Sequence, residues 1–303
     1  MNLHGEQVLR QLASVYPQLY LTSGEAGAEA CRRVVRLGED APSHTLTHFR
    51  HSPLDTLCQE QTPAGSVTTV TLGDRADFEL FLQIMAHRCM PTAIPRTQGA
   101  AILDGVINWS RIRAHRDEYL RSGGNPAGWG AEFKRFTAVA GNYRDALIVL
   151  SVGPYSAIPA EAAGEGEAEW LEHSHTIRKY HECTHFVCRR LFPDKVDAVW
   201  DELVADAVGL YAAYGRFDPA LEERFLGISG GHYTGGRLEN YVADGLDRSE
   251  QLETLAQKVH QTLLHLNRVI AAREQMDPLA PAIQFEAEKV FWDIIPENTE
   301  NTL

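Results

Sequence analysis

Apolar residues recur at helical spacing through Ala28, Cys31, Val34 and Val35 and stop at Gly38. This predicts a first helix, with Thr22 and Glu25 at capping-box spacing at its start. Residues 39–66 show little periodicity and are punctuated by Pro42, Pro53, Pro63 and Gly65, so they read as loop. Val67 to Leu72 is a Thr/Val-rich strand candidate, and Asp74 is placed to cap a helix bearing Phe78, Phe81, Leu82 and Met85. From Ala100 to about Leu120 the positions Leu103, Val106, Ile107 and Ile112 again suggest a helix, broken by Gly123–Pro126, with one more expected over 129–140. The run ALIVLSV at 146–152 is short, apolar and closed by Gly153 and Pro154, so it reads as the most buried strand. Beyond an acidic loop, Trp170, Ile177, His181, His185 and Cys188 form the inward stripe of a long helix that Pro193 ends. Asp194 is placed to cap the next helix, whose face is Val199, Leu203, Ala207, Leu210 and Tyr214 and whose stop is Gly215. A glycine-rich stretch over 227–245 precedes a helix through Leu252, Val259 and Ile270, and a last helix is expected around Phe285 to Ile294.

Composition narrows the classes. With 303 residues, 44% of them hydrophobic, the chain can bury a sizeable core. Its 28 Lys and Arg stand against 41 Asp and Glu, a formal charge of −13, so a nucleic-acid partner would be bound against the protein's own field and none is expected. The N-terminus lacks a basic start followed by an apolar run, and no stretch approaches the length of a membrane span. A soluble, cytoplasmic protein without a membrane partner is the expectation. Five cysteines without a CxxC pair read as reduced, mostly packed thiols. His44, His48 and His51 lie in a proline-flanked loop that imposes no ligand geometry, so they read as solvated or hydrogen-bonded side chains.

The chemistry concentrates at residues 181–185, His-Glu-Cys-Thr-His. On a helix the imidazoles of His181 and His185 project side by side, close enough to ligate one tetrahedral Zn2+. Glu182 is turned about 100° from His181. A carboxylate placed beside a metal without binding it can take the proton of an attacking water. The following helix carries Asp-Glu-Leu-Val-Ala-Asp at 201–206, where Glu202 and Asp206 share a face that meets the first helix if the two pack antiparallel. Asp201 and Asp206 are rival ligands to Glu202, and Cys183 and Cys188 read as packing residues. Downstream, His232 and Tyr233 are candidate donors to a developing oxyanion. Arg237 is a candidate partner for a substrate carboxylate, and Tyr241 another substrate-side residue.

Over residues 170–214 these motifs resemble the gluzincin group of zinc metallopeptidases, in which an HExxH helix is followed by a helix with an ExxxD pattern. The resemblance implies a helix-rich α+β, zincin-like fold. It implies Zn2+ held by His181, His185 and Glu202, with Glu182 as general base and Asp206 orienting a ligand histidine. On this reading residues 1–152 are an N-terminal α+β part with the substrate-side strand. Residues 153–303 are the metal-binding helical part, the two forming one catalytic unit. The expected activity is zinc-dependent hydrolysis of a peptide or small amide substrate. Hydrolysis of a small metabolite or modified peptide, a zinc-stabilised binding module without catalysis, and a metal-free globular protein remain as alternatives.

Overall fold

A computed structural model describes residues 2–193 and 198–276 of the chain. One unit comprises Met1–Glu60 and Val67–Val152, and the other Gln61–Ser66 and the residues from Gly153 onward. Among the described residues, the first unit carries a five-stranded sheet of β1 (Leu3–His4), β2 (Thr56–Thr62), β3 (Gly65–Leu72), β4 (Ala100–Ile107) and β5 (Arg144–Ser151), in spatial order β1-β2-β3-β5-β4. Around it lie α1 (Glu6–Val15), α2 (Glu25–Arg32), α3 (Arg75–Met85), α4 (Trp109–Arg121) and α5 (Trp129–Thr137). Strand β5 runs parallel to β3 and antiparallel to β4, so the sheet is mixed. Leu147, Ile148, Val149 and Leu150 are each 0% exposed, as the unbroken apolar run requires of a strand buried on both faces. Each such side chain contributes about 1.5–3 kcal/mol on burial.

Three local expectations are corrected. Residues 39–66 are not loop throughout, since Thr56–Thr62 is strand β2. Residues 100–107 are strand β4, and only from Trp109 onward is the segment helical. A bulge is the reason. Leu103 pairs with Leu147 but Val106 pairs with Asp145, so β4 holds one extra residue, at a point where Gly105 adopts φ 74°. That extra residue shifts the alternation from period two toward the spacing of a helix. At the start of α2 the cap is Gly24, at φ 126° and without a side-chain hydrogen bond, rather than Thr22. Asp74 does cap α3, accepting from the backbone N–H groups of Ala76 and Asp77.

The second unit is helical. It contains α6 (Ala160–Ala163), α7 (Glu167–Leu191), α8 (Ala198–Tyr214), α9 (Pro219–Leu226) and α10 (Arg248–Met276), with a small hairpin of β6 (Ile228–Ser229) and β7 (His232–Tyr233). Its core joins Trp170 and Ile177 of α7, Leu203, Ala207 and Leu210 of α8, Phe225 of α9, and Val259, Leu263 and Leu266 of α10. Helices α7 and α8 pack along their length. Gly209 permits their closest approach, because a Cβ built there would lie 2.7 Å from the carbonyl oxygen of Ile177. The chain is thus helix-rich α+β with a small mixed sheet. No described helix is long and apolar enough to cross a membrane. Asp194 and the helix expected at 285–294 lie outside the described residues.

Candidate metal centre

Contacts between α7 and α8 run in opposite order along the two helices: Ile177 meets Gly209, His181 meets Asp206, and His185 meets Asp201 and Glu202. The pair is therefore antiparallel, and the i, i+4 histidines of one helix face the acidic stripe of the other. His181 and His185 are 5% and 6% exposed. Their Nε2 atoms lie 2.9 Å apart, and Glu202 places Oε1 3.3 Å from that of His185 and Oε2 3.7 Å from that of His181. Donors bound tetrahedrally to zinc at its usual bond lengths are separated by about 3.4 Å. The observed separations bracket that value, and the donor set, two imidazoles and a carboxylate, is one that zinc accepts. Among the described residues, this is the one group of three His, Cys, Asp or Glu side chains spaced to hold a metal ion.

Both histidines are held from behind. His181 Nδ1 lies 2.7 Å from Asp206 Oδ1, and His185 Nδ1 lies 2.7 Å from Asp201 Oδ2. A carboxylate on each Nδ1 assigns the N–H to that nitrogen and leaves each Nε2 with its lone pair toward Glu202. The two Nε2 atoms and the Glu202 carboxylate then converge, an arrangement that positive charge among them, a shared proton or a cation, stabilises. The electrostatics agree. Burial disfavours a charged imidazole at His185, but the contacts with Asp201 and Glu202 outweigh it and push its pKa up to about 10. Burial likewise disfavours charge on Glu202, yet His185, His181 and Arg237 hold its carboxyl well below the usual carboxylate range.

Behind this group lies a buried network. Asp206 is 0% exposed and is ion-paired with Arg237, whose guanidinium also donates to the Tyr155 hydroxyl at 3.2 Å and lies 3.6 Å from Glu202. Tyr155 in turn donates to Asp206 at 2.5 Å and places its hydroxyl 2.9 Å from His181 Nδ1. Its ring packs edge-on against Phe225, and its backbone N–H donates to the Ser174 hydroxyl. Burial and the Asp206 charge raise the phenol's pKa well above its ordinary value, so Tyr155 acts as a donor.

The expected residues fall into two groups. His181, His185, Glu202, Asp206 and Arg237 come together, and Tyr241 lies close enough that burial and the Glu202 charge raise the pKa of its hydroxyl. Glu182 is half-buried one residue from His181, and its charge is felt by His185. His232 and Tyr233 are placed differently from the expectation. The His232 imidazole is exposed and bonds Glu253, while the Tyr233 hydroxyl is engaged with Gly236 and Glu239 in its own loop. Arg237 is committed to Asp206 and Tyr155, so its expected role as clamp for a substrate carboxylate gives way to that of an internal counter-ion. Asp201 is an orienting partner of His185 and also accepts from Cys188. Tyr155 was not foreseen, because nothing in local spacing links position 155 to position 181. The loop histidines do not converge: His48 and His51 bond the carbonyls of Leu19 and Leu46, and His44 packs on Tyr20.

Residues 5–282 match the model of a family of unknown function, DUF7005, and the chain belongs to that family. No curated protein and no solved structure matches it.

Proposed function

We propose that the chain is a zinc-dependent hydrolase of a peptide or amide bond, built on a gluzincin-like pair of helices. The observation that carries the reading is the convergence of His181 Nε2, His185 Nε2 and the Glu202 carboxylate, with Asp206 and Asp201 fixing both imidazoles from behind. Zinc bound there supplies a Lewis acid that polarises a carbonyl and acidifies water. The chain's own residues supply the rest. Glu182, half-buried beside His181 on α7, is in this reading the carboxylate that takes the attacking water's proton and passes it to the leaving nitrogen. Tyr241, half-buried and within range of the Glu202 charge, is the hydroxyl we assign as donor to the developing oxyanion, the role expected of His232 and Tyr233. Three protein donors, with no fourth in the group among the described residues, leave a coordination position for substrate, which favours a catalytic over a purely structural site.

The test is Glu182→Gln, assayed with zinc-loaded protein on a library of peptides and simple amides. The expected result is unchanged zinc content with turnover reduced at least about a hundredfold. Equal turnover in the variant would remove Glu182 as base. Absence of turnover in the zinc-loaded wild type across the library would favour a binding module.

A further inference from the structure

The loop that carries Tyr155 is fastened to α7 over four successive turns. Trp170, Ser174, Arg178 and His181 are spaced three or four residues apart, so they form one stripe of the helix, and all four are buried. Each holds a different point of the loop 153–158. The Trp170 Nε1–H donates to the Ile158 carbonyl at 2.7 Å, and the Ser174 hydroxyl accepts from the Tyr155 N–H at 2.9 Å. The Arg178 guanidinium donates to the carbonyls of Gly153 and Pro154, each at 3.1 Å, and lies 5.7 Å from the centre of the Tyr155 ring. His181 meets the Tyr155 hydroxyl itself.

The loop is strained to fit this template. Ser156 and Ala157 lie side by side in the left-handed region, at φ 49° and 57°, where residues with a Cβ are uncommon. Their side chains do not account for it. Ala157 has no polar side-chain atom, and the buried hydroxyl oxygen of Ser156 has no hydrogen-bond partner among the described residues. Backbone in such a conformation persists only where surrounding contacts over-determine it. Here those contacts converge on one atom. A hydroxyl can donate once and accept twice. That of Tyr155 donates to Asp206 and accepts from His181 Nδ1–H and from Arg237, so each of its capacities is used.

We propose that Tyr155 is a positioning residue of the metal centre, and that the loop 153–158 is a strained strap which α7 fastens down to keep the Tyr155 hydroxyl against His181 and Asp206. This rests on the metal reading above. The Nδ1–H of His181 points between two acceptors, Asp206 Oδ1 at 2.7 Å and the Tyr155 oxygen at 2.9 Å, which fixes both the tautomer and the plane of the ring. Nε2 is thereby aimed at the position it shares with His185 and Glu202. The same helix thus presents the ligand and, through the three turns before it, anchors the group that orients the ligand.

The test uses the full chain beside Tyr155→Phe, Ser174→Ala and the two combined, each shown by circular dichroism to be folded. Tyr155→Phe keeps the ring and removes the hydroxyl. It should weaken zinc affinity about tenfold in a competition titration and change the visible absorption of the cobalt(II)-loaded protein, which reports ligand geometry. Ser174→Ala releases the Tyr155 backbone and should also weaken zinc affinity, with no further loss when added to Tyr155→Phe, because the loop acts through the hydroxyl. Unchanged affinity and an unchanged cobalt spectrum in Tyr155→Phe would overturn the positioning role, and additive losses in the double variant would overturn the strap. A readout without metal separates this proposal from the metal reading. In zinc-free protein, the nuclear magnetic resonance signal of His181 Nδ1–H, assigned by its absence from His181→Gln, should exchange with solvent faster in Tyr155→Phe than in the wild type. A wild type that binds no zinc would sink the metal reading, and equal exchange in the two proteins would sink the positioning of His181.

Discussion

Asp206 and Arg237 show how much of the centre depends on residues that do not face the ligand position. Asp206 is fully buried and carries a charge, a state maintained by Arg237, His181 and Tyr155. Replacing Arg237 by Met leaves that carboxylate without its main counter-ion. The expected cost is about 3–5 kcal/mol of unfolding free energy, measured by denaturant titration, with much of it recovered in the Arg237→Met, Asp206→Asn double variant. Asp206→Asn and Asp201→Asn each loosen one imidazole, and each should weaken zinc affinity by about 10- to 100-fold in a competition titration without abolishing it. Unchanged affinity in both would detach these acids from the site. At this scale the sequence was most readable where one element held the whole pattern. His181, Glu182 and His185 lie within five residues of one helix, and Glu202 and Asp206 within five of the next. Tyr155 and the true occupation of Arg237 were not readable, because they depend on which turns the tertiary fold brings behind the histidines.

The pairing of α7 with α8 carries the geometry of the centre. Gly209 sets their separation, since its hydrogen faces the Ile177 carbonyl where a methyl group would collide. Gly209→Val should move α8 outward, lowering both stability and zinc affinity, with Gly209→Ala intermediate; calorimetry and zinc titration on the same samples would show whether the two losses move together. Helix α7 also carries an acid-sensitive residue. His175 is largely buried, its Nδ1 lacks a partner among the described residues, and burial together with Lys179 and Arg178 holds its pKa at about 4. Its unfolded value is about 6.5. The unfolded state therefore binds the proton first, and the fold loses stability as pH drops from about 6.5 to 4. The expected loss is about 3 kcal/mol, and His175→Gln should flatten the stability profile over that window; an unchanged slope would show that His175 does not contribute to it. Elements were legible where capping and periodicity agreed, as at Asp74 and in the run 147–150. They were misread where a bulge disguised β4 as a helix and where Gly24 replaced a side-chain cap.

For the molecule as a whole, charge is unevenly placed along the chain. Residues 1–152 hold 15 Lys and Arg against 15 Asp and Glu, whereas residues 153–303, which include the proposed metal centre, hold 13 against 26. The entire excess of negative charge thus belongs to the half that carries the proposed chemistry. Cationic peptides should be favoured as substrates, with kcat/KM falling as salt rises from about 0.01 to 0.5 M, and anionic peptides should show the reverse; salt-independent rates for both would exclude steering. The α+β class was legible from the mixture of periodicities.

The central claim is that His181, His185 and Glu202 form one metal centre. It is tested most directly by elemental analysis of protein purified without added metal and after reconstitution with zinc, beside His181→Ala and Glu202→Ala, with circular dichroism confirming that each variant is folded. The account predicts about one zinc per chain in the wild type and its loss from both folded variants. No zinc in the reconstituted wild type, or equal zinc in the variants, would contradict it.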